Sequence, residues 1–322
     1  MMDNHDNGCD GSRDHCAGVS RRTFIRGAVA GAALYATGRR AAAQGVQQGA
    51  VTGSEIVVAK GDDPARMVRA AIDGYGGMGR FVKKGDVVLV KPNIAFARRP
   101  EQAGCTNPQL VAELVRMCRE AGASKVKMYD RSVNSARKTY PASGIAEAAA
   151  DAGADVSYVS MDRDQWVMTP VPKGKVLTSC PLYKDALEAD VFINVPIAKH
   201  HNIPGLTMSI KNLMGVLGGN RGALTHNPVH ERLPDLATVV RPHLNVLDAY
   251  RILLRGGPSG GSLEDVAFAN KVIVGTDIVA VDAYGATLFG REPAEFGFIV
   301  NAHERGLGEY DLKKIKITEV SL

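Results

Sequence analysis

The sequence predicts an α/β fold: a mainly parallel sheet with helices on both faces. Short apolar runs alternate with longer stretches of helical period along most of the chain, and that alternation is how parallel sheets are assembled. Asn107-Pro108 supplies an N-cap and first-turn pair, while Gly122 and Gly153 follow expected helix ends as stop signals. One stretch departs from the pattern. Pro170, Pro172, Gly174 and Pro181 predict a β-rich excursion around residues 165–182 before the sheet resumes at Val191.

Taken in order, strands are expected near Ile56–Ala59, Val87–Val90, Val126–Tyr129, Val156–Val159, Val191–Val195, Asn245–Leu247 and Val272–Val274. Helices are expected near Pro64–Asp73, Pro108–Ala121, Ile145–Ala152, Pro234–Val240, Ile278–Leu288 and Glu295–Arg305. The run Gly74-Tyr75-Gly76-Gly77-Met78-Gly79 spells a G-x-G-x-x-G pattern but ends a helix rather than opening one. It is therefore expected to be a turn and not a dinucleotide loop. No G-x-x-x-x-G-K-[ST] motif occurs.

Ahead of this domain, Ser20-Arg21-Arg22-Thr23-Phe24-Ile25-Arg26 is a twin-arginine pattern. A short Gly/Ala-rich apolar stretch and the small-residue site Ala41-Ala42-Ala43 follow it. The apolar stretch is too short to span roughly 30 Å of hydrocarbon, so residues 1–43 are expected to be a removable export signal and no permanent membrane span is expected. Residues 44–53 would then be a linker, and 54–322 the α/β domain. The twin-arginine export machinery is the expected partner and the periplasm, or another exported location, the expected destination.

The net charge is +5, of which residues 1–43 contribute +2 from six Arg against four Asp. The remaining +3 is too weak an excess for nucleic acid to be the main partner. Cys9 and Cys16 would leave with the signal. Cys105, Cys118 and Cys180 remain, an odd set without C-x-x-C spacing, so neither a disulfide framework nor an iron–sulfur cluster motif is encoded. Cys118 falls on an apolar helical face. Cys105, between Gly104 and Thr106, is the one candidate reactive thiol.

Candidate functional residues gather where strands end, the ligand edge of an open α/β sheet. Lys91-Pro92-Asn93 follows Val87–Val90, and Asp130 follows Val126–Tyr129. The stretch from Asp190 to His230 holds four of the eight histidines beside Lys199, Lys211 and Asn212. Lys211 and Asn212 precede a glycine-rich segment containing Gly218 and Gly219, where close backbone amides and a lysine charge suit a phosphate or carboxylate. An ordinary mobile loop is the alternative. His226 and His230 are spaced by four, but Pro228 between them and the missing H-E-x-x-H glutamate argue against a zinc protease. Each remains either a metal ligand in loop geometry or a hydrogen-bonded loop histidine. Asp277 is expected to cap a helix, and Asp282 sits among apolar residues.

As a set, K-P-N at Lys91, K-H-H at Lys199, I-K-N-L-M-G from Ile210 to Gly215, His226, T-D-I-V-A-V-D-A from Thr276 to Ala283 and Gly306-Leu307-Gly308-Glu309 resemble the domain-of-unknown-function 362 family over roughly Val87 to Ile317. Some members of that family carry ferredoxin-type cysteine clusters, and this chain has none. A second pattern, His201-x3-Gly205-x5-Lys211 followed by His226, is similar to the lactate racemase family around its nickel-pincer nucleotide. That resemblance implies Lys211 as covalent cofactor anchor, His226 as metal ligand and His201 as an acid/base group. Two departures count against two-base racemisation: the mature chain has no histidine before His200, and Lys91-Pro92-Asn93 replaces that family's strand-end motif.

Together these readings lead to an expected exported enzyme acting on a small anionic hydroxy acid or carbonyl compound. His201, Lys91 and Asp130 would carry catalysis; Lys211, Asn212, Lys199, Gly218 and Gly219 would bind the cofactor; His226 and His230 would hold a transition metal or metal-containing nucleotide used for hydride or proton transfer. The alternative is a periplasmic ligand-binding or cofactor-carrier protein without turnover.

Overall fold

The computed structural model describes residues 53–158 and 163–322; the expected export signal and most of the expected linker lie outside them. Strand β1 (Glu55–Lys60) buries its four central residues. Helix α1 (Pro64–Gly74) starts where the Asp63 side chain accepts the amides of Ala65 and Arg66, and it buries a Met67, Val68, Ala71, Ile72 stripe. The glycine-rich run after it is a turn leading into β2 (Val87–Pro92). Asn107 caps α2 (Pro108–Glu120), which leads to β3 (Lys125–Met128), then α3 (Ala136–Ser143), α4 (Ile145–Asp151) and β4 (Asp155–Val156). The strand expected at Val156–Val159 thus starts one residue early, and Val159 lies outside the described residues.

The excursion around 165–182 is an antiparallel pair, β5 (Trp166–Pro170) with β6 (Ser179–Tyr183). A short α5 (Lys184–Glu188) returns the chain to the main sheet at β7 (Val191–Val195). After Pro196 the chain does not enter a loop but forms β8 (Ile197–His201) and the reverse strand β9 (Gly205–Thr207). Next come α6 (Ser209–Asn212), α7 (Arg221–Thr225) and α8 (Val229–Ala237), then the long strands β10 (Leu244–Leu253) and β11 (Val266–Gly275). Helices α9 (Ile278–Thr287) and α10 (Gly297–Glu304) and edge strand β12 (Lys316–Ser321) complete the described chain. Helix α8 begins five residues before the expected Pro234. Pro228 occupies its capping position.

The main sheet runs β12-β1-β11-β10-β7-β2-β3-β4, with β8 and β9 attached through β10. Its pairs are parallel except where β11 meets β1 and β10, and where β9 meets β8. Alternate residues supply two cores. Val57, Ala59, Val88, Val90, Val126 and Met128 pack with α1, α2 and α4 on one face. Ile56, Val58, Leu89, Phe192, Leu247 and Ile273 pack with α8, α9, α10 and the β5–β6 excursion on the other. Each such buried aliphatic side chain contributes roughly 1.5–3 kcal/mol. The chain passes from β2 outward to β3 and β4, then crosses back to β7 and on to β10. Connections leaving β2 and β7 therefore diverge and open a crevice at the carboxyl ends of the strands, the place where open α/β sheets bind ligands. No helix among the described residues is long and apolar enough to cross a membrane.

Candidate functional site: a basic cleft at the strand ends

A cleft of about 450 Å³ opens at this switch point, within the size range of small-molecule sites. Its wall includes Asn93 after β2, Asp130 and Arg131 after β3, Lys199 and His201 of β8, Thr207 of β9, Lys211 and Asn212 of α6, Arg221 of α7, and His226. Phe96, Val133, Ile203, Met214 and Pro258 supply apolar wall.

Each polar group is placed by its element. Side chains alternate along a strand, so Lys199 and His201 share one face of β8, and Thr207, paired directly with Lys199, joins them. Gly205 turns this hairpin with φ 88°, and a side chain there would also strike the Phe296 ring. Asp282 of α9 accepts the amides of Ser209 (2.6 Å) and Ile210 (2.9 Å), which fixes the first turn of α6 and thereby aims Lys211. Burial pushes Asp282 up to about 7. Lys91 is fully buried behind the cleft wall, where its Nζ lies 2.8 Å from Asp130 Oδ1; Asp130 Oδ2 accepts the Ile94 amide at 2.7 Å. Burial lowers Lys91 despite that carboxylate. Gly215 packs over this pair so closely that a Cβ there would overlap the Asp130 carboxylate and the end of Lys91.

The electrostatics of the cleft are one-sided. Lys199, Lys211, Arg131 and Arg221 face it, while its one lining carboxylate, Asp130, is already matched by Lys91. Lys199 donates to the Gly104 carbonyl (2.7 Å) and to Asn93 Oδ1 (3.0 Å), and burial brings it down to about 8. Lys211 has a single hydrogen-bond contact, the Met214 sulfur at 3.3 Å; burial, then Lys199 and Arg221, bring it down to about 7. An amine so placed is partly unprotonated near neutral pH and can act as a base there. Arg131 donates to the carbonyls of Leu217 (2.6 Å) and Gly219 (2.8 Å), and Arg221 donates to the Arg131 carbonyl.

His201 Nδ1 accepts the Ile203 amide at 3.0 Å, so the neutral ring carries its proton on Nε2 and presents a donor. Burial and the neighbouring Lys211 lower it to about 2, which keeps it neutral. His226 stands beside it, ring centroids 6.3 Å apart, and burial lowers it too. His226 Nε2 and Thr207 Oγ1 are buried without a protein hydrogen-bond partner. Unsatisfied atoms in a cleft wall are where a ligand is expected to bond.

The structure thus brings Asp130, Lys199, His201, Lys211, Asn212 and His226 to one cleft, with Lys91 directly behind. Three other candidates fall elsewhere. His230 stacks at 6.4 Å on Phe298, against Gly297, because it points from α8 toward α10. Gly218 meets the Trp166 ring and donates its amide to the Pro181 carbonyl, and Gly219 gives its carbonyl to Arg131. Neither glycine lines the cleft. Among the described residues no group of three or more His, Cys, Asp or Glu gathers as a metal site. Cys105 is buried, donates to the Phe96 carbonyl and is pushed up by burial, the opposite of an activated thiol. Sequence reasoning missed Thr207, Arg221 and the buried Asn194 and Asn245, since a lone polar residue in an apolar run has no signature of its own.

Fold and site define an α/β protein with a basic small-molecule cleft at the switch point of a mostly parallel sheet. Residues 88–287 match the family described as Domain of unknown function (DUF362), and the chain belongs to that family. It is 29% identical over 256 residues to a thylakoid-associated protein of Synechocystis sp., covering 74% of each chain. Two solved structures are similar at lower level. One is the lactate racemase apoprotein from Thermoanaerobacterium thermosaccharolyticum, with 13% identity, TM-score 0.46, and 74% of this chain against 57% of that one. The other is a Thermotoga maritima protein, with 9% identity, TM-score 0.39, and 72% against 60%. This chain spans less than two thirds of either solved chain.

Proposed function

We propose that the cleft binds a small anionic hydroxy acid or carbonyl compound and that Lys211 acts on it as a proton-transfer base, with Lys199 and Arg221 balancing the anion. The observation that carries this reading is the charge imbalance of the wall: Lys199, Arg131 and Arg221 beside the Lys211 amine, against one carboxylate that Lys91 already neutralises. In this reading His201 donates its Nε2 proton as a hydrogen bond to a substrate oxygen, and Phe96, Ile203 and Met214 keep water from the amine. His201 is then an orienting donor, because its acceptor nitrogen is committed to Ile203.

A metal-containing nucleotide fits the same residues better than a bare ion does. With His226 Nε2 the one free histidine acceptor in the wall, a metal would have to arrive with ligands of its own; Lys211 would hold the organic part and the basic wall its phosphate. When bound, such a group would supply hydride acceptance. The second reading, a cofactor carrier without turnover, is favoured by Asp130 being tied to Lys91 and the Ile94 amide, which leaves Lys211 and His226 as the only free bases.

Intact mass, elemental analysis and titration with lactate, pyruvate and inorganic phosphate, on protein from its native host, test the proposal. Binding that survives in Lys211→Arg but loses all turnover is the expected enzyme result, because arginine keeps the charge but not the base. Absence of binding by any of the three anions overturns the anion-cleft reading. We also propose that residues 1–43 direct twin-arginine export: Arg21→Lys with Arg22→Lys should leave uncleaved precursor inside the cell, and normal processing would refute it.

A further inference from the structure

Asn194 and Asn245 lie side by side on β7 and β10, fully buried, with Ile193 and Val195 flanking one and Leu244 and Val246 flanking the other. A buried amide left unpaired is destabilising, and neither is unpaired. Starting at the cleft, Lys199 Nζ donates to Asn93 Oδ1 (3.0 Å), Asn93 Nδ2 to Asn212 Oδ1 (3.0 Å), Asn212 Nδ2 to Asn194 Oδ1 (2.9 Å) and Asn194 Nδ2 to Asn245 Oδ1 (3.0 Å). Asn245 Nδ2 ends the series at the Gly275 carbonyl (3.5 Å). Every donor points the same way across the sheet.

That direction is fixed at both ends by chemistry. An ammonium only donates, so Asn93 must turn its oxygen to Lys199; the carbonyls of Ser209 (3.1 Å from Asn194 Nδ2) and Gly275 only accept, so Asn194 and Asn245 must present their NH₂ groups. Amides aligned in this way polarise one another. Two of the three Lys199 protons are taken by Asn93 and Gly104, which leaves the third for the cleft, where the Phe96 ring lies 5.1 Å from Nζ.

We propose that Asn194 and Asn245 are positioning residues that, through Asn212 and Asn93, hold an oxygen acceptor on Lys199 and so keep it a cleft-facing ammonium for the bound anion. The last step rests on the anion-binding reading above; the link from Asn194 to the Lys199 proton rests on the hydrogen bonds alone. Lys199 is also faced by the cations Lys91 and Lys211, by the Asp130 carboxylate, by neutral His201 and by the Cys105 thiol. With burial holding it near 8, a weakened oxygen acceptor at Asn93 favours the neutral amine.

Asn194→Leu removes the nearer of the two acceptors of Asn212 Nδ2, leaving the Lys91 carbonyl at 3.4 Å, and so loosens the Asn212–Asn93 pair that holds an oxygen on Lys199. NMR titration of the full chain labelled with ε-¹³C lysine, with Lys199→Met and Lys211→Met used for assignment, reads the effect at the amine. Expected is a fall of about one unit in the Lys199 midpoint, a roughly tenfold larger ratio of neutral to charged amine at a given pH, with the Lys211 midpoint unchanged. Inorganic phosphate should bind several-fold more weakly to this variant. Asn245→Ser, which keeps both a donor and an acceptor, should show a smaller shift of the same sign, and it carries the test if Asn194→Leu does not fold. An unchanged Lys199 midpoint in a folded variant, or an equal shift at Lys211, overturns the proposal. Failure of the wild-type protein to bind phosphate, with the Lys199 shift present, would instead fault the anion-binding reading.

Discussion

Gly215 shows how much one missing side chain can fix. Its hydrogen stands where any Cβ would overlap Asp130 and Lys91, both enclosed on all sides. Gly215→Ala must therefore either push α6 and its neighbours off the strand ends or part the ion pair. Overpacking alone costs about 1–3 kcal/mol, and breaking a buried pair costs about 3–5 kcal/mol. Urea unfolding should place the variant about 3 kcal/mol below wild type, whereas Gly79→Ala, where nothing lies within 4 Å, should be close to neutral. A near-wild-type midpoint for Gly215→Ala would mean that the pair is not held as described. At this scale the sequence announced the charged and imidazole groups of the cleft because lysine, aspartate and histidine beyond an apolar strand have few bland explanations. It did not announce Asn194, Asn245 or Thr207, whose meaning depends on partners up to 51 residues away, nor could it show that Gly218 is small to admit Trp166 rather than a phosphate.

Among the elements, the strands with unbroken aliphatic runs were legible because burial on both faces demands them, and the capped helices α2 and α9 were legible from Asn107 and Asp277. The β8–β9 hairpin was not, since its inward positions are Lys199, His201 and Thr207 and the period-2 signal is carried by polar groups. Helix α6 was hidden for another reason: at four residues it has no period to read, and it holds together because Asp282 receives its first two amides. Because burial raises this carboxyl to about 7, above its value of 3.8 in an unfolded chain, its linkage contribution is full below about 3.8 and is lost as pH rises toward 7. Asp282→Asn faces one amide with an NH₂ group and should lose about 1–3 kcal/mol when unfolded in urea at pH 4.5. The gap to wild type should narrow at pH 8, since only the wild type carries the titration. A gap that widens with pH would show that the carboxylate, not the acid, is the stabilising form.

For the whole molecule, the question is whether the β5–β6 excursion is part of one cooperative unit or a flap on the main sheet. It has its own two-stranded sheet, yet Val171, Leu177, Cys180 and Leu182 are buried in the same core as β1, β7 and β10. A single buried carboxylate latches its loop: Asp235 of α8 accepts the amides of Lys175 (2.9 Å), Val176 (2.8 Å) and Leu177 (2.9 Å), and Arg305, just past the end of α10, approaches it at 2.9 Å. Burial would raise this carboxyl, but those amides and Arg305 outweigh it and leave it lowered, so the latch is intact above the usual carboxylate range and fails as acid protonates it. The chain has one tryptophan, Trp166, at the start of β5, which makes the excursion optically distinct. In the wild-type protein the Trp166 fluorescence transition and the far-ultraviolet circular dichroism transition should coincide in urea, as one cooperative unit requires. Asp235→Ala leaves three buried amides without an acceptor, and the Trp166 transition should then move to lower urea than the circular dichroism transition, because the latch is lost while the sheet remains. Coincident transitions in the variant would show that hydrophobic burial of Leu177, Cys180 and Leu182 holds the excursion without the latch. Separated transitions in the wild type would show that the excursion opens on its own, and with it the Gly218–Trp166 contact and the Arg131 side of the cleft wall.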